Sequence, residues 1–242
     1  VWIFGQPARL IEARNLQQLE VACAAIDEAS RSYHAVLLVD YEVGSWFEPK
    51  LNFSIVEHPW APLQAWLFKE GTWLDRVAFE DWLNQNLEKI GADKQPSGIA
   101  GLCAELSAPE YAAAVESVLQ HIGWGDAYQV NLTWRIDFTF FGSAMALYRK
   151  LRRAQPVNHG AYLLLSDRVL LSLSPELFLE RFGDTLMSKP MKGTISRAAE
   201  NRADQAMAQA LERSEKDRAE NLMIVDLIRN DLGKIAQTGS VR

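Results

Sequence analysis

Residues 128–140, YQVNLTWRIDFTF, alternate apolar and polar positions without interruption. Val130, Leu132, Trp134, Ile136, Phe138 and Phe140 stand against Gln129, Asn131, Thr133, Arg135, Asp137 and Thr139. Successive strand side chains point to opposite faces, so the pattern predicts a strand over 128–140 with one apolar and one strongly polar face. The polar face is either wetted by solvent, as is usual in antiparallel sheets, or turned into a polar cavity. Earlier in the chain the period is helical: Leu19, Cys23, Ile26 and Ala29 within 16–31 fall on one face, and AVLLVDY at 35–41 then reads as a buried strand. Two stretches rich in turn residues and aromatics follow, EVGSWFEPKLNF and HPWAPLQAWLF, with strands and turns expected over 60–75. Polar residues with Gly and Pro over 83–101 suit a linker or mobile loop, dividing a first region, 1–100, from a second, 105–242.

The second region carries the sharper signals. Ser107 and Glu110 have the spacing of a capping box, and Tyr111, Val115, Val118, Leu119 and Ile122 form one apolar stripe, which predicts a helix ending at Gly123. Two hairpins are expected, AYLLLSDRVLLSLS turning at Ser166 to Arg168 and LFLERFGDTLMSK turning at Gly183-Asp184. Pro175 interrupts pairing between them, and a carboxylate beside such a break, Glu176, can be aimed into a cleft. One or two helices complete the chain, ending near Gly233. Leu222, Val225, Leu227, Ile228 and Leu232 cover much of the last one, which is therefore expected to be well buried.

Composition narrows the function classes. A chain of 242 residues with 48% hydrophobic residues can bury a sizeable core, and its formal net charge of -6 offers no basic field for nucleic acid. Cys23 and Cys103 are far apart and outside any CxxC pair, and the four histidines lack metal-ligand spacing, so neither a disulfide framework nor a zinc site is expected. No signal peptide and no apolar run of roughly 18 residues is present. A cytoplasmic protein fits these features. The chain starts at Val1 and stops at Arg242 just after a turn, TGS, so it is expected to be a fragment.

Lys192 follows Glu176 by sixteen residues, and the hairpin between them lets the two approach each other. A desolvated lysine is a nucleophile and a buried glutamic acid a proton donor, so the pair can share one site; the other reading of Lys192 is a solvated loop lysine before Gly193. Glu220 is either an inward carboxylate able to ligate Mg²⁺ or an ordinary acid of a helix N-terminus. Trp46, Trp60, Trp66 and Trp73 either line a ligand pocket or belong to the core, the commoner case.

Four stretches in order, GDAYQVNLTWR (125–135), LSPELF (173–178), KPMKGTISR (189–197) and EKDRAENLMIVDLIRNDLGKI (215–235), resemble the chorismate-utilising enzyme family. PARLIEA with DYEVGSWFEP resembles its N-terminal region less strongly. The resemblance implies an α+β fold of antiparallel β-sheets flanked by helices, the α/β sandwich of this family, with only its N-terminal portion present. Residues 1–100 would be the region shared with anthranilate synthase component I and 105–242 the first part of the chorismate-binding catalytic domain. The family's second half, with a GGSITGAPK-like stretch and a second Mg²⁺-binding glutamate, is absent from the sequence, so the chain alone is expected to be inactive.

Within the family the chain is most similar to the branch that makes 4-amino-4-deoxychorismate towards p-aminobenzoate and folate. Anthranilate-forming relatives typically carry Ala where Lys192 stands and His where Asn221 stands, and isochorismate-forming ones a water-activating lysine where Gln129 stands. The resemblance then implies Lys192 as nucleophile, Glu176 as general acid, Glu220 as Mg²⁺ ligand, and Thr194 and Gln129 as substrate contacts. It also implies ammonia delivered by a glutamine amidotransferase partner, and bound tryptophan in the N-terminal region, as in some relatives. The alternatives are anthranilate or isochorismate/salicylate synthesis, or a non-catalytic docking module.

Overall fold

The computed structural model describes residues 1–48, 50 and 59–242. Parts of the turn-rich stretches EVGSWFEPKLNF and HPWAPLQAWLF, at 49, 51–53 and 58, lie outside the described residues. The chain divides into two compact units, Val1–Asn86 and Leu87–Arg242.

In the first unit, strands β2 (Arg9–Ala13), β3 (His34–Val39) and β4 (Leu63–Phe68) form an antiparallel sheet in the order β2-β4-β3. Ala65 pairs with Ile11 on one side and Leu37 on the other. The central strand β4 is buried at five of its six positions, whereas β3 lies at the edge with Leu37 and Val39 exposed, less buried than its apolar run predicts. Helix α1 (Leu16–Ala29), capped by Asn15 accepting the Gln18 N–H at 2.9 Å, lays Leu19 and Ala22 on Ile11, Ala13, Leu63, Ala65 and Leu67. Its apolar stripe runs through Ala22, leaving the expected Cys23 exposed.

A short ribbon, β1 (Trp2–Ile3) with β5 (Thr72–Trp73), leads into α2 (Arg76–Lys89), where a linker was expected from Leu83 onward. Phe79, Leu83 and Leu87 are buried at four-residue spacing along it, and Asp75 accepts the Ala78 N–H at 2.8 Å. Helical burial of that stripe outweighs the polar residues between.

The second unit holds three two-stranded ladders. They are β6 (Gly98–Ala104) with β7 (Ile136–Phe141), β8 (His159–Leu164) with β9 (Val169–Ser174), and β10 (Leu177–Phe182) with β11 (Thr185–Lys189). The strand expected over 128–140 is strand only from Ile136. Among the described residues Arg135 still bonds to Glu105, whose N–H donates to the Arg135 carbonyl at 2.9 Å, but no strand pairs with 128–134, so the alternating pattern there has no ladder to complete. Both later hairpins turn where expected, the second through Gly183 at φ +58°, the first-position glycine of a type II′ turn.

Helix α3 (Ala108–Trp124) has the expected capping box, with Ser107 N–H donating to Glu110 at 2.8 Å, but it ends one residue later than predicted, at Trp124, and is capped by a left-handed Gly125. Helix α4 (Ala144–Ala154) follows Gly142, whose φ is +82° and where a Cβ would run into the Pro96 carbonyl oxygen. Two helices close the chain, α5 (Asn201–Arg213) and α6 (Glu215–Gly233). The latter is not well buried: Leu222, Val225 and Leu227 are exposed, because no described element covers its apolar flanks.

Candidate active site

Lys192 sits in a segment, 190–200, with no helix or strand until α5 begins, so tethers other than a backbone ladder must set its course. The first tether comes from the hairpin. Leu177 pairs with Lys189, which brings the residues just outside the ladder, Glu176 and Met191, to the same end. The Glu176 carboxylate accepts the Met191 N–H at 2.9 Å. Glu176 is itself braced in the break at Pro175: its N–H donates to the Ser174 hydroxyl (3.3 Å), which donates to the Glu176 carbonyl (3.1 Å).

The second contact lies on the other side of Lys192. Gly193 takes φ +76°, and a Cβ there would meet the Asp217 carboxylate at 2.9 Å, so both the conformation and the space require glycine. Asp217 is in the first turn of α6, with its N–H on the capping Ser214 hydroxyl at 3.3 Å. Glu220 lies three residues further along α6, 29% exposed at its side chain, with Lys216 at 3.9 Å. Lys192 is thus half-buried between a residue bonded to Glu176 and a residue pressed on the α6 N-terminus.

Gln129 comes from a different part of the chain, before β7, and Thr194 directly follows Gly193 in the loop. Gln129 lines an open cleft of about 1150 Å³ along α6, with Met223, Asp226, Leu227 and Asn230. Among the described residues its Oε1 is buried without a hydrogen-bond partner, a cost unless a donor enters the cleft. Glu220, Met223 and Leu227 fall on one α6 face by helical spacing, so the cleft continues the line of Glu220. Thr194 is solvent-exposed. Sequence reasoning missed Asp217 as the wall behind Gly193; a glycine following a candidate nucleophile was the available signal.

No three His, Cys, Asp or Glu side chains converge as a metal cluster among the described residues. Glu220 is of the oxygen-donor type that suits Mg²⁺, and one carboxylate with water and substrate oxygens is an arrangement that ion accepts. The tryptophans do not share one pocket environment: Trp46 packs on the core of the first unit, Trp60 donates to Asp40 at 3.0 Å, Trp66 lies on β4 opposite Leu10 and Val36, and Trp73 is exposed. Cys23 and Cys103 are free thiols in different units. No helix among the described residues is long and apolar enough to cross a membrane.

The family model for chorismate binding enzymes matches residues 3–242. Aminodeoxychorismate synthase component 1 of Klebsiella aerogenes is 42% identical over 139 residues, 57% of this chain and 31% of that protein. Anthranilate synthase component 1 of Thermus thermophilus is 38% identical over 149 residues, 62% of this chain and 32% of that protein. The matched segments thus span about a third of the length of these curated relatives. Among solved structures, anthranilate synthase component I from Streptococcus pneumoniae superposes with a TM-score of 0.75 at 19% identity, covering 97% of this chain and 61% of that one. That likeness establishes the fold: antiparallel sheets with helices, spanning three fifths of the structure it matches.

Proposed function

The chain belongs to the chorismate binding enzyme family, and on that premise we propose that it takes part in converting chorismate and ammonia into 4-amino-4-deoxychorismate, on the route to p-aminobenzoate. The observation that carries this reading is the placing of Lys192 between Glu176, bonded to Met191 at 2.9 Å, and the α6 N-terminus behind Gly193. A lysine one residue from the backbone N–H that the Glu176 carboxylate accepts brings an amine-bearing and a carboxyl-bearing residue to one short loop, which suits a substitution in which a nucleophile enters as a hydroxyl departs.

In the proposed sequence the Lys192 amine adds through its lone pair to C2 of chorismate, the ring double bonds shift, and the C4 hydroxyl leaves as water with a proton from Glu176. Ammonia then adds at C4, the C2–nitrogen bond breaks, and the lysine is released with its proton count restored. Chorismate and ammonia become aminodeoxychorismate and water. Glu220 would hold Mg²⁺ with oxygens of the substrate and water; the ion would screen the substrate carboxylate. Gln129, with its unpartnered buried Oε1, and Thr194 are the substrate contacts in this reading. Ammonia is supplied by a glutamine amidotransferase partner.

Glu176 is exposed in this chain, and proton donation of this kind needs a site shielded from water. Residues 1–242 alone are therefore predicted to be inactive. The test is product identity with chorismate, Mg²⁺ and ammonium in the full-length protein. Aminodeoxychorismate supports the assignment. Anthranilate, the product named by the Thermus relative, would keep the family and overturn the branch, as would isochorismate.

A further inference from the structure

The 190–200 segment has a tether at its far end that the chemistry above does not use. Arg197 donates to Asp204 through both sides of its guanidinium, Nε to Oδ1 at 2.7 Å and Nη2 to Oδ2 at 2.6 Å. The adjacent Ala198 N–H donates to the same Oδ1 at 3.1 Å. Three hydrogen bonds from two successive loop residues thus end on one carboxylate. Asp204 belongs to the first turn of α5, its own N–H bonded to the Glu200 carbonyl at 2.9 Å, so the anchor is fixed to a helix. Its side chain is 21% exposed, whereas that of Arg197 is 86% exposed.

That asymmetry decides what the pair is for. An ion pair with one partner in water adds little stability, because screening and side-chain entropy offset the attraction. Bidentate geometry with a backbone N–H on the same carboxylate instead fixes direction: the guanidinium plane and the peptide plane of Ala198 are both set by one group. The carboxyl of Asp204 is held below its ordinary range, first by the Arg197 hydrogen bond and then by the Ala198 N–H, so it stays an acceptor through neutral pH. Glu176 fixes the segment at Met191, and Asp204 fixes it at Arg197 and Ala198. The five residues between, Lys192 to Ser196, run from one tie to the other, with Gly193 against Asp217 as the one close packing contact described between them.

We propose that Asp204 is a positioning residue for Lys192, acting through Arg197 and the Ala198 N–H to hold the far end of the loop that carries the amine. The inference rests on the reading of Lys192 as nucleophile. Asp204 itself touches no reacting atom. Releasing the far tether leaves the loop held at Met191 and against Asp217 only, free to shift beyond Gly193, and displacement of a reacting group by about 1 Å is enough to cost on the order of 100-fold in rate.

The test compares wild type, Asp204→Asn, and the exchanged pair Arg197→Asp with Asp204→Arg, all in the full-length protein. Amide hydrogen exchange over 191–198 is expected to accelerate roughly tenfold or more in Asp204→Asn and to recover at least partly in the exchanged pair, while the β8–β9 hairpin is unchanged. With chorismate and ammonium, kcat should fall on the order of 10- to 100-fold, and by a larger factor than KM rises, since Thr194 is the one substrate contact of this reading that the loop carries. Unfolding midpoints should agree between the variants, which separates positioning from stability. Unaltered exchange in Asp204→Asn, or a fall in kcat that tracks a lowered midpoint, would overturn the proposal. Lys192→Ala is the control for the underlying reading: full turnover there would remove the nucleophile and with it the catalytic role of Asp204, whereas the exchange data report on the tether itself.

Discussion

The two units of the chain solve the problem of burial in opposite ways. In Val1–Asn86 the central strand β4 is covered on both faces, with Ala65 and Leu67 inaccessible to solvent. In Leu87–Arg242 none of the six strands has a buried residue, and Phe138, Phe178 and Phe182 are 52%, 88% and 87% exposed. Yet the candidate chemistry, Glu176, Lys192 and Glu220, lies wholly in the second unit. The first unit is held by packing, whereas the candidate site is held by discrete ties: one carboxylate on Met191, one glycine against Asp217, one carboxylate on Arg197 and Ala198. A site of this kind is sensitive to changes of a few atoms that hardly move global stability.

The largest effects should therefore appear in rate rather than folding. Glu176→Gln is expected to lower kcat about 10²- to 10⁴-fold, the usual contribution of general acid catalysis, with an unfolding midpoint close to wild type, as read by product formation and denaturant titration. Equal losses of activity and stability would erase the distinction between the units.

Packing variants should show the converse. Leu67→Ala, at a fully buried position, is expected to destabilise the first unit by about 2–5 kcal/mol, whereas Phe138→Ala in the second should change unfolding by no more than about 0.5 kcal/mol. Matching losses in urea would show that Phe138 is covered in solution.

Gly193→Ala combines a left-handed backbone with a clash on Asp217, at an expected strain of about 1–3 kcal/mol. Adding Asp217→Ala should relieve the steric part and leave the backbone part, so the double variant falls between wild type and Gly193→Ala in loop exchange. Full recovery would mean that φ +76° is not required.

The smallest effect concerns the cap of α3. Ser107→Ala should cost about 1 kcal/mol in helix stability. Glu110 is held below its ordinary value by the Ser107 hydroxyl and then by the Ser107 N–H. The unfolded chain therefore takes up this proton first on acidification: the cap contributes fully above the ordinary glutamate value and is lost as pH falls through the lowered one. Amide exchange of residues 108–111 against pH should show that acid loss in wild type and a flatter profile in Ser107→Ala.

How much of this is legible in the chain depends on the range of the interaction. The Ser107–Glu110 cap, both hairpin turns and the break at Pro175 are short-range signals, and each sits where residue spacing places it. The approach of residues 176 and 191 follows from the hairpin between them. What local pattern could not give is which faces are covered. The last helix has an apolar sequence but exposed flanks, and the alternation over 128–134 has no strand to pair with, because both depend on neighbours that periodicity does not encode. Helix α2 was readable in the spacing of Phe79, Leu83 and Leu87 but was masked by the polar residues between them. The Arg197–Asp204 tie spans seven positions across a loop, where no regular period exists to reveal it.

Covalent participation of Lys192 is tested most directly by the intact mass of the full-length protein quenched during turnover with chorismate, Mg²⁺ and limiting ammonium. An increase equal to chorismate less one water, present in wild type and missing from Lys192→Ala along with aminodeoxychorismate formation, is the predicted result. Undiminished aminodeoxychorismate formation by Lys192→Ala, with no adduct on the wild-type protein, would contradict it.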